Sequence, residues 1–177
     1  MKKMSGEDRR KMIVEALKHT TKPITGKEFA DRANVSRQVI VTDVALLKTA
    51  NEPIIATNRG YIYLQEQDTA ETVRRVIVCQ HTREQAKEEL EIIVDCGVTV
   101  VDVMVEHPIY GGLTGNLHLS SRYDVDQFMQ TLKENEAVLL SKLTDGIHLH
   151  TLEADAMDKI DLACEQLKKA GFLYAED

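Results

Sequence analysis

Apolar residues in the first 50 positions recur at intervals of three and four, which is the spacing of helices with one buried face. Residues 9–17 form the first such segment, and Ser5 with Asp8 can start it as a Ser-x-x-Asp cap. A second, shorter segment begins after Thr25, which can form a capping box with Glu28 three positions later. The pattern predicts two helices in this part of the chain.

A third helical segment follows Ser36, which can cap it, and only a brief turn at Asn34 and Val35 separates it from the second. Two helices joined by a turn of three or four residues form a helix-turn-helix unit, whose second helix enters the major groove with its N-terminal turn first. Arginine can bind guanine through two hydrogen bonds, glutamine can pair with adenine, and threonine can reach phosphate or a thymine methyl group. The residues of this helix predicted to contact DNA are Ser36, Arg37, Gln38 and Thr42.

The segment PIIATNRGYIYL, residues 53–64, reads as two short strands around Asn58-Arg59-Gly60, a hairpin turn with a basic tip. A hairpin in this position is the wing of a winged helix, and Arg59 is predicted to touch the DNA backbone or the minor groove. The alternative is a small helical interaction module built on the same helix pair. The polar first turn of the third helix argues against that alternative.

The distribution of charged residues changes at about residue 64, where the predicted hairpin ends. Residues 1–64 carry 12 Lys and Arg against 7 Asp and Glu, whereas residues 65–177 carry 10 against 22. A basic first third beside an acidic remainder indicates that only the first part meets a polyanion such as double-stranded DNA. The polar run QEQDTAE, residues 65–71, has no periodicity and is predicted to be a linker. The predicted domains are residues 1–66, which are expected to bind DNA, and residues 71–177.

From residue 71 onward, strand-like and helix-like segments alternate in the order β-α-β-β-α-β-α. That order is typical of a two-layer α/β sandwich of the HPr-like type, with helices on one face of a mainly antiparallel sheet, so the whole chain is predicted to be α+β. Residues 137–144 fit either a continued helix or a strand. Strands are predicted at 73–79, 98–105, 117–119 and 146–152, and helices from Thr82, at 124–135 and at 154–170.

Histidines are concentrated in this second part of the chain. In the predicted strand within DGIHLH, His148 and His150 share one face and lie about 7 Å apart along the chain. His81 ends the first strand, and Glu89 in the next helix lies about 60° from the apolar stripe, so its carboxylate can reach the interior. Three imidazoles and one carboxylate suit zinc or nickel. Taken without other information, such residues more often form a half-exposed strand face and a solvated glutamate.

The segment TGKEFADRANVSRQVIVTDVALLK resembles the winged helix-turn-helix of bacterial ligand-responsive repressors. The segments CQHTREQAKEEL, EHPIYGGLTGNLHLSSRYDV and DGIHLH together resemble the three-histidine (3H) domain, and the combination is similar to the NiaR-type nicotinate-responsive repressors. This resemblance implies a homodimeric DNA-binding repressor of NAD biosynthesis or niacin uptake genes, with nicotinic acid as corepressor and a transition metal in the 3H domain. The family's ligand pattern is met here by His81, Glu89, His148 and His150.

Residues 106–119 are the predicted wall of the effector site. The segment is rich in turn-forming residues, and its glycines would let backbone N–H groups approach a small anion closely. Tyr110 can stack on a pyridine ring, while Asn116 and His118 can hydrogen-bond its polar edge. The glycines alone fit an ordinary β-turn equally well. The predicted effector residues are Tyr110, Gly111, Gly112, Asn116 and His118.

Several other classes of protein find no support in the sequence. No segment approaches the roughly 18 apolar residues that span a bilayer, so a cytoplasmic protein without membrane contact is expected. The cysteines Cys79, Cys96 and Cys164 are expected to be reduced, buried thiols. No Walker loop, nucleophile elbow or dinucleotide fingerprint is present, and we expect no enzymatic activity.

Two alternatives to a nicotinate-responsive repressor stay open at this point. One is a metalloregulator in which the metal ion itself is the signal. The other is a metal-dependent hydrolase that carries a DNA-targeting domain, because histidines with one carboxylate also describe catalytic zinc. Glu106 and Asp145 are the nearest candidates in the sequence for its general acid or base, and neither lies in an HExxH motif.

Overall fold

The computed structural model describes residues 4–64 and 71–174. The chain separates into two compact units, Met1–Asp68 and Thr69–Asp177. Almost all of the predicted linker, residues 65–71, falls outside the described residues. Within the described ranges, none of the helices combines the length and the apolar character that crossing a membrane requires.

The first unit contains three helices and a two-stranded hairpin, as predicted. Its helices begin at caps: the Ser5 side chain accepts a hydrogen bond from the Asp8 N–H, and Thr25 and Glu28 form the predicted capping box. The expectation for Ser36 is wrong in one respect, because Ser36 precedes the third helix but its side chain makes no capping hydrogen bond. The elements are α1 (Gly6–Lys18), α2 (Gly26–Ala33), α3 (Arg37–Thr49), β1 (Ile54–Thr57) and β2 (Gly60–Tyr63).

A buried ion pair attaches the third helix to the first. Arg9 of α1 donates to both carboxylate oxygens of Asp43 in α3, and its Nη2 lies 3.1 Å from Oδ1. Both side chains are almost fully buried. The unit also has a small apolar core that includes Ile13, Leu17, Phe29 and Ile40. The orientation of α3 therefore depends on one specific polar contact as well as on apolar packing.

The hairpin is pinned to the connection between α1 and α2. Ile24 and Tyr61 exchange backbone hydrogen bonds of 3.0 and 2.8 Å. At the neighbouring Gly60, with φ of +132°, an added Cβ would lie 2.5 Å from the carbonyl oxygen of Ile24. The hairpin can approach this closely only because residue 60 is glycine.

The second unit is a two-layer sandwich with the predicted element order β-α-β-β-α-β-α. Its four strands run in the order β3-β6-β4-β5, every neighbouring pair is antiparallel, and all three helices pack into the same hydrophobic core as the sheet. The elements are β3 (Val73–Gln80), α4 (Ala86–Asp95), β4 (Thr99–His107), β5 (Gly111–Leu119), α5 (Arg122–Glu134), β6 (Ile147–Ala154) and α6 (Met157–Ala170).

Several predicted boundaries in this unit are wrong. β5 begins at Gly111 rather than residue 117, because Gly111 and Gly112 already pair with β4. The last helix begins at Met157 rather than Ala154, because Ala154 pairs with Val73 across the sheet. Residues 137–144 form neither a continued helix nor a strand; a loop leads into a short 3₁₀ helix, Leu140–Thr144.

We predict that Asp43→Ala destabilises the first unit selectively. Removal of the carboxylate leaves the Arg9 guanidinium buried without its countercharge, which typically costs about 3–5 kcal/mol. Hydrogen exchange measured by mass spectrometry is expected to show lost protection in α1 and α3 and unchanged protection in β4 and β6. Glu7→Gln, which removes only the exposed pair with Lys11, is the matched control, with an effect below about 0.5 kcal/mol. Equal protection in the two variants would contradict the role given to Asp43.

Candidate metal centre and DNA-binding surface

The four predicted metal-ligating residues meet at one carboxylate in the interior of the second unit. Glu89 of α4 points toward the sheet, and the Nε2 atoms of three histidines face its two oxygens. The distances from these Nε2 atoms to the nearer carboxylate oxygen are 2.6 Å for His81, 3.2 Å for His148 and 3.4 Å for His150. Strand alternation accounts for the pair on β6, where residues 148, 150, 152 and 154 are buried and Ile147 is exposed.

Each of the three imidazoles is held from behind by a backbone carbonyl. Nδ1 lies 2.7 Å from the Thr82 oxygen in His81, 2.9 Å from the Gly146 oxygen in His148 and 2.7 Å from the Asp102 oxygen in His150. A carbonyl oxygen only accepts hydrogen bonds, so Nδ1 carries the proton in all three rings. Histidines that bind metals are commonly oriented in this way, because the arrangement leaves Nε2 available to the ion.

The four side chains are deeply buried, and the charges of the histidines and of Glu89 shift one another's pKa values. Burial alone would raise the pKa of Glu89, but the charge of His150 and the hydrogen bonds of His148 and His81 outweigh it and bring the pKa well below its ordinary value. For His81 and His150, burial alone would lower the pKa, but Glu89 outweighs it and the pKa of each is raised. The Glu89 carboxylate therefore stays ionised, and a buried ionised carboxylate is stable only with positive charge close to it.

These residues fit a divalent cation. With Nδ1 protonated, the Nε2 of a neutral imidazole presents a lone pair, and a lone pair beside a carboxylate oxygen is repulsive unless a proton or a cation lies between them. Among the described residues, Nε2 of His150 is fully enclosed but makes no hydrogen bond of good geometry, because its contact with the Glu89 carboxylate is long, at 3.4 Å. A buried nitrogen of this kind needs a partner. The donor set of nitrogen and oxygen atoms is one that zinc and nickel accept.

Cys79 is a member of this cluster that the sequence did not single out. Its Sγ, a Glu89 oxygen and a His148 nitrogen all lie within 4.8 Å of one another, and no other such group of three occurs among the described histidines, cysteines and acidic residues. Burial, together with the charge of Glu89, raises the pKa of the Cys79 thiol. The available signal was the spacing of two residues between Cys79, which lies in β3, and His81, which directly follows the strand. The prediction of three buried cysteines holds for Cys79 and is wrong for Cys96 and Cys164, which are half-buried.

Gly146 allows the strand that carries two of the histidines to start next to His81. Its φ is +89°, and a Cβ at this position would lie 2.5 Å from the carbonyl oxygen of His81. The Gly146 oxygen is also the one that faces Nδ1 of His148. Glycine at this position therefore allows His81 and His148 to lie close together and provides the carbonyl that orients the His148 ring.

A cavity of about 520 Å³ opens beside His81. One wall comes from the loop and 3₁₀ helix of residues 137–144, which contribute the apolar side chains of Val138 and Leu139. Arg83 and Lys142, both exposed, add positive charge to the lining, and Asp145 adds one negative charge. The cavity can hold a small planar anion next to the cluster.

The predicted effector residues do not surround this cavity. The segment expected to be turn-rich is an antiparallel hairpin of β4 and β5, with Tyr110 exposed at its tip and stacked beside His107 at a centroid distance of 4.9 Å. Gly111 and Gly112 lie at the same exposed end, whereas Asn116 and His118 lie near the other end of β5. From residue 111 to residue 118 an extended strand covers about 23 Å, so the five residues cannot all contact one small molecule within a single chain.

The two candidate acids for hydrolytic chemistry are also separated. Glu106 pairs with Gly112 near the hairpin tip, four residues along β4 from Asp102, whose carbonyl faces His150. That separation is about 13 Å along an extended strand. Asp145 lines the cavity beside His81. Only Asp145 of this pair is close to the cluster.

The predicted DNA-contacting residues of the third helix share an exposed surface. Ser36, Arg37, Gln38 and Thr42 are all exposed at the N-terminal half of α3, while Ile40 and Asp43 face the interior. Arg59, expected at an exposed tip, is half-buried and lines a groove with Arg37 between the hairpin and α2. The four helix residues are presented as major-groove readout requires.

Both units match known protein families. A model of the HTH domain matches residues 9–62, and a model of the 3H domain matches residues 74–176. The chain is 48% identical over 178 residues to the transcription repressor NadR of Bacillus subtilis, covering 98% of this chain and 97% of that protein. The chain belongs to the NadR/NiaR family of transcription repressors. It is also 38% identical over 170 residues to the probable transcription repressor NiaR of Thermotoga maritima, covering 96% of this chain and 95% of that protein.

Membership of the NadR/NiaR family gives the two units their roles at a coarse level. The chain is a transcription repressor whose winged helix-turn-helix binds DNA, as the sequence predicted. The 3H domain of this family member contains the Glu89 cluster.

We predict that Gly146→Ala destabilises the 3H unit more than Gly171→Ala. Both glycines have positive φ, but an added Cβ meets a backbone oxygen at residue 146 and nothing within 4 Å at residue 171. Left-handed backbone alone costs an alanine roughly 1–2 kcal/mol, and the contact with His81 adds to that cost at residue 146. Urea unfolding, with hydrogen exchange of β3 and β6 as the readout, measures the difference. Equal destabilisation by the two substitutions would show that the approach of residue 146 to His81 is unimportant.

Proposed function

We propose that this protein represses genes of NAD biosynthesis or niacin uptake, with nicotinic acid as corepressor and a zinc or nickel ion bound by His81, Glu89, His148 and His150. The main support is the convergence of three carbonyl-anchored imidazoles on one buried carboxylate. This cluster belongs to a chain whose other unit presents an exposed recognition helix, and whose relatives are named transcription repressors. The resemblance of the histidine segments to the 3H repressors supplies the identity of the corepressor.

The residues of the chain hold and orient the proposed ion. Nε2 of each imidazole is already directed inward by the carbonyl behind it, so little conformational freedom is lost when a cation binds. The Glu89 carboxylate supplies the countercharge in a water-poor interior. When bound, a divalent ion would supply a concentrated positive charge beside Glu89.

The cavity beside His81 is the place we propose for nicotinic acid. Arg83 and Lys142 offer positive charge to its carboxylate, and Val138 and Leu139 offer an apolar wall to its ring. We propose this cavity in place of the effector site predicted at the hairpin tip, because the exposed residues there, including Tyr110, do not enclose a small ligand. The acid would then bind next to the metal cluster, where its negative charge is favoured.

A homodimer completes the proposal, because a single winged helix reads few base pairs and two copies read two half-sites. The corepressor strengthens operator binding only if it binds more tightly to the DNA-competent arrangement of the two copies than to other arrangements. The exposed polar turn of α3 supplies the base contacts in each half-site.

We predict that nicotinic acid tightens operator binding at fixed salt by roughly 5- to 150-fold, the usual range of allosteric coupling. Nicotinamide, which lacks the carboxylate, is expected to have little effect. Fluorescence anisotropy with a labelled operator duplex gives the two affinities. Arg37→Ala should weaken binding with and without the acid, whereas Lys133→Ala in α5 should not. Identical operator affinities with and without nicotinic acid would contradict the corepressor role.

We predict that His148→Ala abolishes stabilisation by added metal. In the parent protein, zinc or nickel at a hundredfold excess over its Kd raises the stability of the 3H unit by about 2.7 kcal/mol. Thermal unfolding of chelator-treated protein, with and without metal, measures the shift. His19→Ala is the control, because His19 is an exposed residue of the first unit and pairs with Glu15. A metal-dependent shift that survives His148→Ala would place the ion elsewhere.

A further inference from the structure

Cys79 lies inside the proposed metal centre rather than in a purely apolar environment. On the sheet it is directly opposite His148, its partner in the register of β3 and β6. Side chains that face each other in this way stand about 5 Å apart at Cβ. Its side chain is fully buried, and its Sγ lies within 4.8 Å of both a Glu89 oxygen and a His148 nitrogen.

The environment of His150 is a second observation that favours a bound cation beside Glu89. Nε2 of His150 is enclosed and aimed at the same carboxylate, yet it makes no hydrogen bond of good geometry within the described parts of the chain. The Glu89 carboxylate thus has the Cys79 sulfur and a His148 nitrogen nearby, and the enclosed His150 nitrogen 3.4 Å from its Oε2. The other two cysteines are placed differently: Cys164 contacts Arg75, and Cys96 follows the end of α4.

We propose that Cys79 is a further ligand of the metal ion, so that the centre offers sulfur in addition to nitrogen and oxygen. The inference rests on the proposed metal and extends it beyond the four residues of the His-Glu-His-x-His pattern. On binding, the S–H bond of Cys79 breaks, a sulfur–metal bond forms and the proton leaves to solvent, with no change of oxidation state. A thiolate favours zinc, cobalt and nickel over magnesium and manganese, which prefer oxygen.

Cobalt(II) added to the full-length, chelator-treated protein under anaerobic conditions tests this ligand directly. A sulfur–cobalt bond gives an intense near-ultraviolet charge-transfer band, whereas histidine and carboxylate ligands give only the weaker visible bands. We expect the near-ultraviolet band in the parent protein and its loss in Cys79→Ser, with the visible bands retained. Cobalt affinity should fall by about ten- to a hundredfold in that variant.

Cys96→Ser and Cys164→Ser are the matched controls and should keep the near-ultraviolet band. Visible bands without a near-ultraviolet band in the parent protein would overturn the inference and reduce Cys79 to a neighbour of Glu89, while leaving the four-residue centre intact. Absence of any cobalt spectrum would overturn both the inference and the proposed metal.

Cadmium NMR of the parent protein provides a readout that needs no variant, in case Cys79→Ser does not fold. Sulfur ligation moves the cadmium resonance strongly downfield from the position given by nitrogen and oxygen ligands alone. A downfield resonance supports Cys79 as a ligand, and a resonance at the nitrogen and oxygen position overturns it.

Discussion

A single buried carboxylate imposes most of the constraints on the second unit. Glu89 is enclosed among three imidazoles, and an ionised carboxylate in such a place must be balanced by positive charge. Three features place the histidines beside Glu89. His81 directly follows β3, and the alternation of side chains along β6 turns His148 and His150 to the same face. Backbone carbonyls then orient all three rings. The proposed metal ion would satisfy the same requirement with one centre of charge.

The first unit depends on a similar balance in a simpler form. Asp43 is buried on the inner face of the recognition helix, and Arg9 from α1 supplies its countercharge through a bidentate contact. The exposed face of the same helix is then free to carry Arg37, Gln38 and Thr42 toward DNA. One buried acid in each unit thus positions the residues on which the function of that unit depends.

Periodicity was enough to predict that His148, His150 and Glu89 face the interior of the second unit. A strand repeat of two puts His148 and His150 on one face, and a helix repeat of 3.6 turns Glu89 inward, so both predictions needed only local geometry. Cys79 required more, because its place in the cluster depends on the register between β3 and β6, which pairs residues about 70 positions apart. Local sequence patterns do not encode that register.

The cavity beside His81 and the β4–β5 hairpin also could not be predicted from local sequence patterns. Arg83 and Lys142 come together only because residues 137–144 fold back beside His81 as a 3₁₀ helix, a conformation with no clear periodic signal. The glycines before residue 117 suggested turns, but their backbones pair with β4 and lengthen the hairpin. In both places contacts between residues far apart in the sequence, and not the local residue preference, decide the structure.

Zinc K-edge X-ray absorption of the metal-loaded protein tests the central claim most directly, because the spectrum reports the atoms around the ion. The account predicts nitrogen and oxygen neighbours at about 2.0–2.1 Å and the Cys79 sulfur at about 2.3 Å, together with strong outer-shell scattering from several imidazole rings. A spectrum with an oxygen-only shell and no imidazole scattering would contradict it, since the ion would then lie away from the histidines that surround Glu89.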